Sequence, residues 1–340
     1  MKYKTLTLER WVGIQAILLF ILGLAILMGT LKGSEAVGFG EAIKLLTGTS
    51  DRESEKVILF QVRMPRVFLA GLVGGYLAMS GVVFQALLRN PLADPFILGI
   101  SSGAALGAYA AIGLGLQASL LGFTATPLLA FLGGILSVWL VYQVAKVNGH
   151  LPTTHLLLAG VVVNAIFSAL IMFITSVVEA GRVTTILYWM MGHLGSYDLQ
   201  TLGVLLGLGL LITFGLFVLA KPLNLLTLGE ESALTLGLPV DWVKRILLLL
   251  STLLVGLAVS VSGLIGFVGI IAPHTARLLF GPDHRLLLPS SALMGASFLI
   301  ITDTLARTLI SPSEIPVGVI TALCGGPFFL VVLKTHRRYT

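Results

Sequence analysis

The sequence predicts an all-α, polytopic membrane protein, and three observations carry that prediction. Its 340 residues are 56% hydrophobic and only 11% charged. Its mean hydropathy of +1.02 lies well outside the range of soluble globular domains. Apolar runs of about 20 residues, enough to cross a hydrocarbon layer of about 30 Å, recur from end to end. They fall at 11–31, 64–88, 97–116, 125–145, 154–176, 199–220, 243–262, 264–281, 286–307 and 315–334, ten spans in a single membrane domain over residues 1–340.

In chain order, the run Trp11 to Leu31 follows Lys2, Lys4 and Arg10 but has no small-residue cleavage site, so it is expected to be a retained first span. Residues 32–56 mix Lys32, Lys44, Arg52 and Lys56 with Glu35, Glu41, Asp51, Glu53 and Glu55. That segment is too charged for hydrocarbon and is expected to be an external loop. After the second run comes RNPLADP, Arg89 to Pro95. Pro91 and Pro95 each remove a backbone donor and bias the preceding residue away from the helical region, so a non-helical corner is predicted. Gly99, Ser101 to Ala105, Gly133, Gly134 and Ser290 to Ala292 put small residues where helices can approach closely, because lipid supplies no hydrophobic drive between helices. Between the sixth and seventh runs, LGEESALTLGLPV (Leu228 to Val240) interrupts the apolar chain. It is helix-competent, carries two adjacent carboxylates, and has Gly237 and Pro239 to end a helix and turn the chain. A solvated loop with a helix stop explains these residues equally well on local grounds. Cys324 is the only cysteine, which excludes an intrachain disulfide, and it is expected to be a small buried hydrophobe.

An even number of spans puts both termini on one side. That side would hold Lys2, Lys4, Arg10, Arg89, Lys146, Lys221, Lys244, Arg245, Arg277, Arg285, Lys334, Arg337 and Arg338, thirteen of the 21 Lys and Arg, and is cytoplasmic by the positive-inside rule. The net charge of +6 is therefore a topology signal. No soluble basic domain exists to bind nucleic acid, and the expected surroundings are membrane lipid. A faint internal echo sets AMSG (Ala78 to Gly81), Pro91 and SSGAALGA (Ser101 to Ala108) beside SVSG (Ser260 to Gly263), Pro273 and SSALMGA (Ser290 to Ala296). An offset of five spans is what an inverted-topology repeat requires. Chance likeness between Gly/Ala/Ser-rich helices is the competing explanation.

Phosphate-loop, HExxH and CxxC motifs are all missing, so neither nucleotide hydrolysis nor a familiar metal site is encoded. The chain is expected to bind no cofactor and to catalyse no covalent chemistry. Its histidines, His150, His155, His193, His274, His284 and His336, are scattered, mostly near span ends. Asp303 is the main intramembrane acid, and it sits four residues before Arg307, the spacing of a helical ion pair. A proton-coupled transporter would place more acids along its path.

Four segments carry a specific resemblance. RMPR (Arg63 to Arg66), RNPLADPFILGISSGAALGA (Arg89 to Ala108), GFVGIIAPHTARLLFGPDHRLLLPSSALMGA (Gly266 to Ala296) and EIPVGVITALCGGPFF (Glu314 to Phe329) closely resemble the FecCD-type permeases of type II ABC importers, which take up iron siderophores, haem and cobalamin. The likeness runs from about residue 57 to the C-terminus. It implies a ten-helix permease with an inverted repeat, placed in a bacterial inner or plasma membrane with both termini cytoplasmic. It also implies a second permease subunit, expected to be another copy of this chain, two ATPase subunits that hold the ATP and Mg, and an external substrate-binding protein.

Residue roles follow from the same resemblance. Segment 221–242 becomes the cytoplasmic coupling segment, with Glu230, Glu231, Ala233 and Gly237 on the ATPase. Asn90, Leu92, Thr153 and Thr154 border the cytoplasmic gate, although the two threonines would also serve as N-caps of the next helix. Asn164 and Ser168 of the fifth span line the path. Arg63, Arg66 and Arg307 dock carboxylates of the binding protein, lipid-headgroup anchoring being the alternative. The competing function is an ion-coupled secondary transporter, which repeats and interrupted helices would also fit.

Overall fold

A computed structural model describes residues 6–33 and 53–336. Residues 34–52 of the predicted external loop lie outside them, as do Lys2, Lys4, Arg337 and Arg338. The first helix, α1 (Leu8–Leu31), begins where the Thr7 hydroxyl accepts the Arg10 amide. A helical lead-in, Glu53–Val57, and a π-helical turn, Ile58–Arg63, run into α2 (Met64–Leu87). Then follow α3 (Ile100–Gly113), the hairpin β1 (Ser119–Leu120) and β2 (Phe123–Thr124), α4 (Ala125–Ala145), α5 (Thr153–Val177) and α6 (Ala180–Met190). The second half holds α7 (Leu199–Val218), α8 (Ala220–Thr227), α9 (Glu230–Thr235), α10 (Val240–Ser262), α11 (Val268–Phe280), α12 (His284–Thr308) and α13 (Val317–His336). Seven of the described helices are long and apolar enough to cross a membrane, and three shorter apolar ones, in α3, α11 and α13, bring the total to the ten expected.

Two of the short helices have a clear cause. At about 1.5 Å per residue, α3 and α11 reach only about 20 Å, so other backbone must cover the remaining depth. Ahead of α3 this is the corner predicted at RNPLADP. The Asn90 carboxamide oxygen accepts the Leu92 amide at 2.9 Å, and Asp94 accepts the Phe96 amide at 2.8 Å to start a 3₁₀ turn, Pro95–Leu98. The Gly99 carbonyl takes the Ser137 hydroxyl at 2.7 Å, so this irregular backbone is satisfied within protein. Ahead of α11, residues 263–267 form the second corner, with Phe267 in the left-handed region.

AMSG closes on the second span and SVSG on the seventh, five apart, and each span leads into a corner and a short helix. SSGAALGA and SSALMGA do not share that offset, because they lie on α3 and α12, the third and ninth spans.

Burial separates helices that hydropathy makes equivalent. The most apolar stretch is 78% buried in α2, 72% in α10 and 67% in α12, but 22% in α1 and in α5. The first three form the hub. Glycines let helices meet backbone to backbone, α2 on α12, α2 on α11 and α3 on α4: a β-carbon on Gly74 would sit inside the Gly295 carbonyl, one on Gly81 inside that of Gly269, and one on Gly103 inside that of Gly133. The small residues at 99–105 and 133–134 thus pack α3 on α4, as expected. Ser290 is buried and accepts the Gln15 side-chain amide at 2.9 Å. Cys324 departs from expectation, since it is exposed on α13. His274 and His284 are buried, the first within α11 and the second at the start of α12.

Candidate functional site

Arg63 and Arg89 flank α2, so its length of about 36 Å separates two polar ends. At the Arg89 end lies the segment between the sixth and seventh spans. It is two short helices, not one. Gly229, with φ +114°, breaks α8 from α9, and Gly237, with φ +82°, closes α9. The Leu238 amide reaches the Ala233 carbonyl at 3.0 Å and the Gly237 amide the Leu234 carbonyl at 2.9 Å, the paired bonds of a glycine helix stop. The remaining basic ends gather here too: Arg10 donates to the Phe280 carbonyl at 2.9 Å, and Trp11 to that of Arg285 at 3.1 Å.

Within α9 the expected ATPase contacts divide. Glu231 and Gly237 are exposed. Ala233 is fully buried and packs into this chain, so it is not available to a partner. Glu230, whose side chain is 37% exposed, reaches back to this chain, where its carboxylate accepts the Lys244 ammonium at 2.8 Å and the Thr153 hydroxyl at 3.3 Å. Exposed apolar side chains lie on and around α9: Leu228 before it, Leu234 on it, Leu236 just after it and Trp242 beyond are each more than half exposed, beside exposed Glu231, Ser232 and Thr235. The i,i+3 spacing placed Glu230 and Ala233 on one side of the helix, but only the tertiary contacts revealed that this side meets its own chain.

Of the expected gate residues, Asn90 and Thr154 are exposed, while Leu92 and Thr153 are half-buried. The N-cap alternative fails for both threonines. Pro152 occupies the cap position, with no side-chain bond, and α5 begins at Thr153, whose hydroxyl goes to Glu230. The two residues assigned to the path also divide. Asn164 turns to its own subunit, accepting the Ser102 hydroxyl at 2.5 Å and donating to the Ile97 carbonyl at 3.4 Å, whereas Ser168 is exposed on α5.

At the other end, Arg63, Arg66 and Arg307 do converge, around a hollow of about 330 Å³ shared with Gly33, Ile58, Val62 and Glu314. They are not freely exposed cations, each being under one-tenth exposed. Asp303 bonds Arg66 at 3.0 Å and pairs with Arg307 at 3.0 Å, the helical pair its spacing predicted. Glu314, 44% exposed, takes another Arg66 nitrogen at 2.8 Å. Arg307 also donates to the Gly29 carbonyl at 3.0 Å and Arg63 to that of Leu31 at 3.2 Å. These are among the last carbonyls of α1, which lack helical partners and attract cations. The cluster therefore joins α1, α2 and α12. Nearby His193, in the loop before α7, has its pKa lowered by burial first and by the Arg66 cation second. Among the described residues, no group of three or more His, Cys, Asp or Glu is placed to hold a metal.

A ten-span bundle with interrupted third and eighth spans, a helix pair at one end and arginines at the other can now be compared with known proteins. Residues 18–335 match the FecCD transport family. The chain belongs to that family. Over 286 residues it is 45% identical to the cobalamin import system permease protein BtuC of Halobacterium salinarum, covering 84% of this chain and 75% of that one. It is 42% identical over 304 residues to the hemin transport system permease protein HmuU of Yersinia pestis, covering 87% and 89%. A solved structure of a metal-chelate type ABC transporter, in an inward-facing conformation, superposes with a TM-score of 0.82 at 32% identity, over 95% of this chain and 99% of that one. This FecCD protein is accordingly a multi-pass permease subunit of a type II ABC importer. The ion-coupled alternative falls with that membership.

Proposed function

We propose that this permease forms, with a second copy of itself, the translocation path for a bulky metal chelate of the haem or corrinoid class. Alternating access is driven by two ATPases, which hold the ATP and Mg, while this chain binds no cofactor. The carrying observation is the group of exposed apolar side chains on and flanking α9, a short helix bracketed by two positive-φ glycines and bonded to α5 and α10. A soluble loop would not present Leu228, Leu234 and Leu236 together beside Glu231. An ATPase groove would cover them, as an amphipathic helix lays its apolar face into a partner. The Arg89 end is then cytoplasmic, both termini lie there, and the membrane is a bacterial inner or plasma membrane. The proposed cargo class is the one named for the relatives, cobalamin and hemin.

Proteoliposomes holding the permease, the ATPase and the binding protein test this reading. ATP-dependent accumulation of hemin or cobalamin is expected. Leu234→Glu together with Leu236→Glu should abolish it and strip the ATPase during purification, because two carboxylates would be desolvated in an apolar groove. Retained uptake by the double variant would sink the assignment of α9.

The binding protein is proposed to dock at the arginine end. Reversing the three arginine charges is a poor test, because they also hold α1, α2 and α12 together. Glu314 offers a better one. It is the most exposed carboxylate of the cluster and already occupies Arg66, so it competes with any incoming acid. Glu314→Gln is expected to tighten the binding protein by up to about fivefold, matching the 0–1 kcal/mol of an exposed pair. The salt dependence of binding should steepen as well. Weaker or unchanged binding would return the cluster to a purely structural role.

A further inference from the structure

We propose that the first turns of α10 are the clamp through which movement of α9 reaches the fifth span, with Lys244 as its central tie. The proposal rests on the reading of α9 as the ATPase contact. Lys244 is 2% exposed, so it cannot itself touch a partner. Its ammonium donates to the Glu230 carboxylate at 2.8 Å and to the Leu151 carbonyl at 2.6 Å. The same Glu230 oxygen accepts the Thr153 hydroxyl at 3.3 Å. One buried ammonium thus joins the first residue of α9 to the turn that leads into α5.

The clamp has further grips on the same turn. Asp241 accepts the Leu151 amide at 3.1 Å and lies 2.7 Å from the His150 ring nitrogen, while Arg245 donates to the Gly149 carbonyl at 2.5 Å. Both backbone groups of Leu151 are therefore held by α10. Leu151 itself is almost fully buried, so the turn moves with the clamp and not independently. Glycines with positive φ at both ends set α9 off as a separate short element between α8 and α10. Leu234 on it is exposed, and Glu230 at its start reaches back to Lys244. A displacement applied at Leu234 and Leu236 is then transmitted through short charge-assisted bonds to Thr153, where α5 begins. An ammonium suits this place because it offers three donors to acceptors on different elements, which a methionine of similar length does not.

The experiment uses the assembled permease–ATPase complex in proteoliposomes, with hemin or cobalamin as cargo, and compares uptake with ATP hydrolysis. Lys244→Met is expected to leave ATPase co-purification intact while lowering cargo moved per ATP by about tenfold, within the range of a coupling between sites. Lys244→Arg, which keeps charge and donors, should restore at least half of it. Asp241→Asn, on a partly exposed side chain, is expected to lower the same ratio less and decides the matter alone if Lys244→Met fails to insert. An unchanged ratio in these variants would overturn the proposal, as would uptake and hydrolysis falling in proportion without rescue by arginine. Failure of the α9 reading looks different: the Leu234→Glu and Leu236→Glu pair would then keep the ATPase, whatever Lys244 does.

Discussion

Asp303→Asn is expected to lower the unfolding free energy of the solubilised permease by about 3–5 kcal/mol, the cost of breaking a buried ion pair by removing one partner. The Asp303 carboxylate is 1% exposed and serves both Arg66 and Arg307, whose side chains are 10% and 5% exposed. Without it, two guanidiniums that are each at most one-tenth exposed face each other, and only the half-exposed Glu314 remains to balance them. The α1 carbonyls that Arg307 and Arg63 cap would lose their positioning at the same time. Thermal unfolding in detergent measures the effect. Glu314→Gln is the control, expected to be nearly silent for stability because that carboxylate is largely solvated. Adding Arg307→Met to Asp303→Asn should recover part of the loss, since it removes one of the stranded charges. A midpoint for Asp303→Asn indistinguishable from the parent protein would mean that the cluster is not an ionic joint.

The second large effect is expected from a single methyl group. In Gly81→Ala the new carbon would overlap the Gly269 carbonyl, which is backbone and cannot rotate away. The helices α2 and α11 would have to separate, at or beyond the upper end of the about 1–3 kcal/mol typical of overpacking. Gly23→Ala makes the same chemical change on α1, where no atom lies within 4 Å of the added carbon. It should be neutral or slightly stabilising, because alanine loses less backbone freedom than glycine. Yield of monodisperse protein and thermal midpoint report both. Equal behaviour of the two variants would show that close helix approach at Gly81 is not required for folding.

Much of this was legible in the sequence because it depends on local or periodic signals. Ten apolar runs sufficed for the span count, since a hydrocarbon layer forces each backbone group into a helix or into protein. Two prolines predicted the corner at RNPLADP, and Gly237 the end of α9, because each acts through its own dihedral angles or a missing donor. The Asp303–Arg307 pair followed from helical spacing. Charge bias grouped Arg10, Arg89, Lys221, Lys244 and Arg285 on one side, and the structure gathers them at one end.

What the sequence could not decide is which way each side chain faces. In lipid, an outward face and a core face are equally apolar, so hydropathy gives α2 and α5 the same status although one is the hub and the other the rim. For the same reason Cys324 was assigned to the core but lies on the surface. Charges were misjudged in the opposite sense. Arg63, Arg66, Arg307 and Glu230 were taken as outward-facing groups, the arginines at a lipid or partner surface and Glu230 on the ATPase, because a charge beside a membrane ordinarily seeks water. Each instead meets counter-charges or orphan carbonyls brought in from helices distant in the chain: Asp303 from α12, the end of α1, and Lys244 from α10. The sequence by itself determined how many helices cross, where they break and which ends are basic, since backbone chemistry and the apolar solvent act residue by residue. The tertiary structure alone decided that the arginines are a joint, that Ala233 faces inward, and that Glu230 is tied to the fifth span. Those facts depend on pairings between spans, and only the packed bundle sets them.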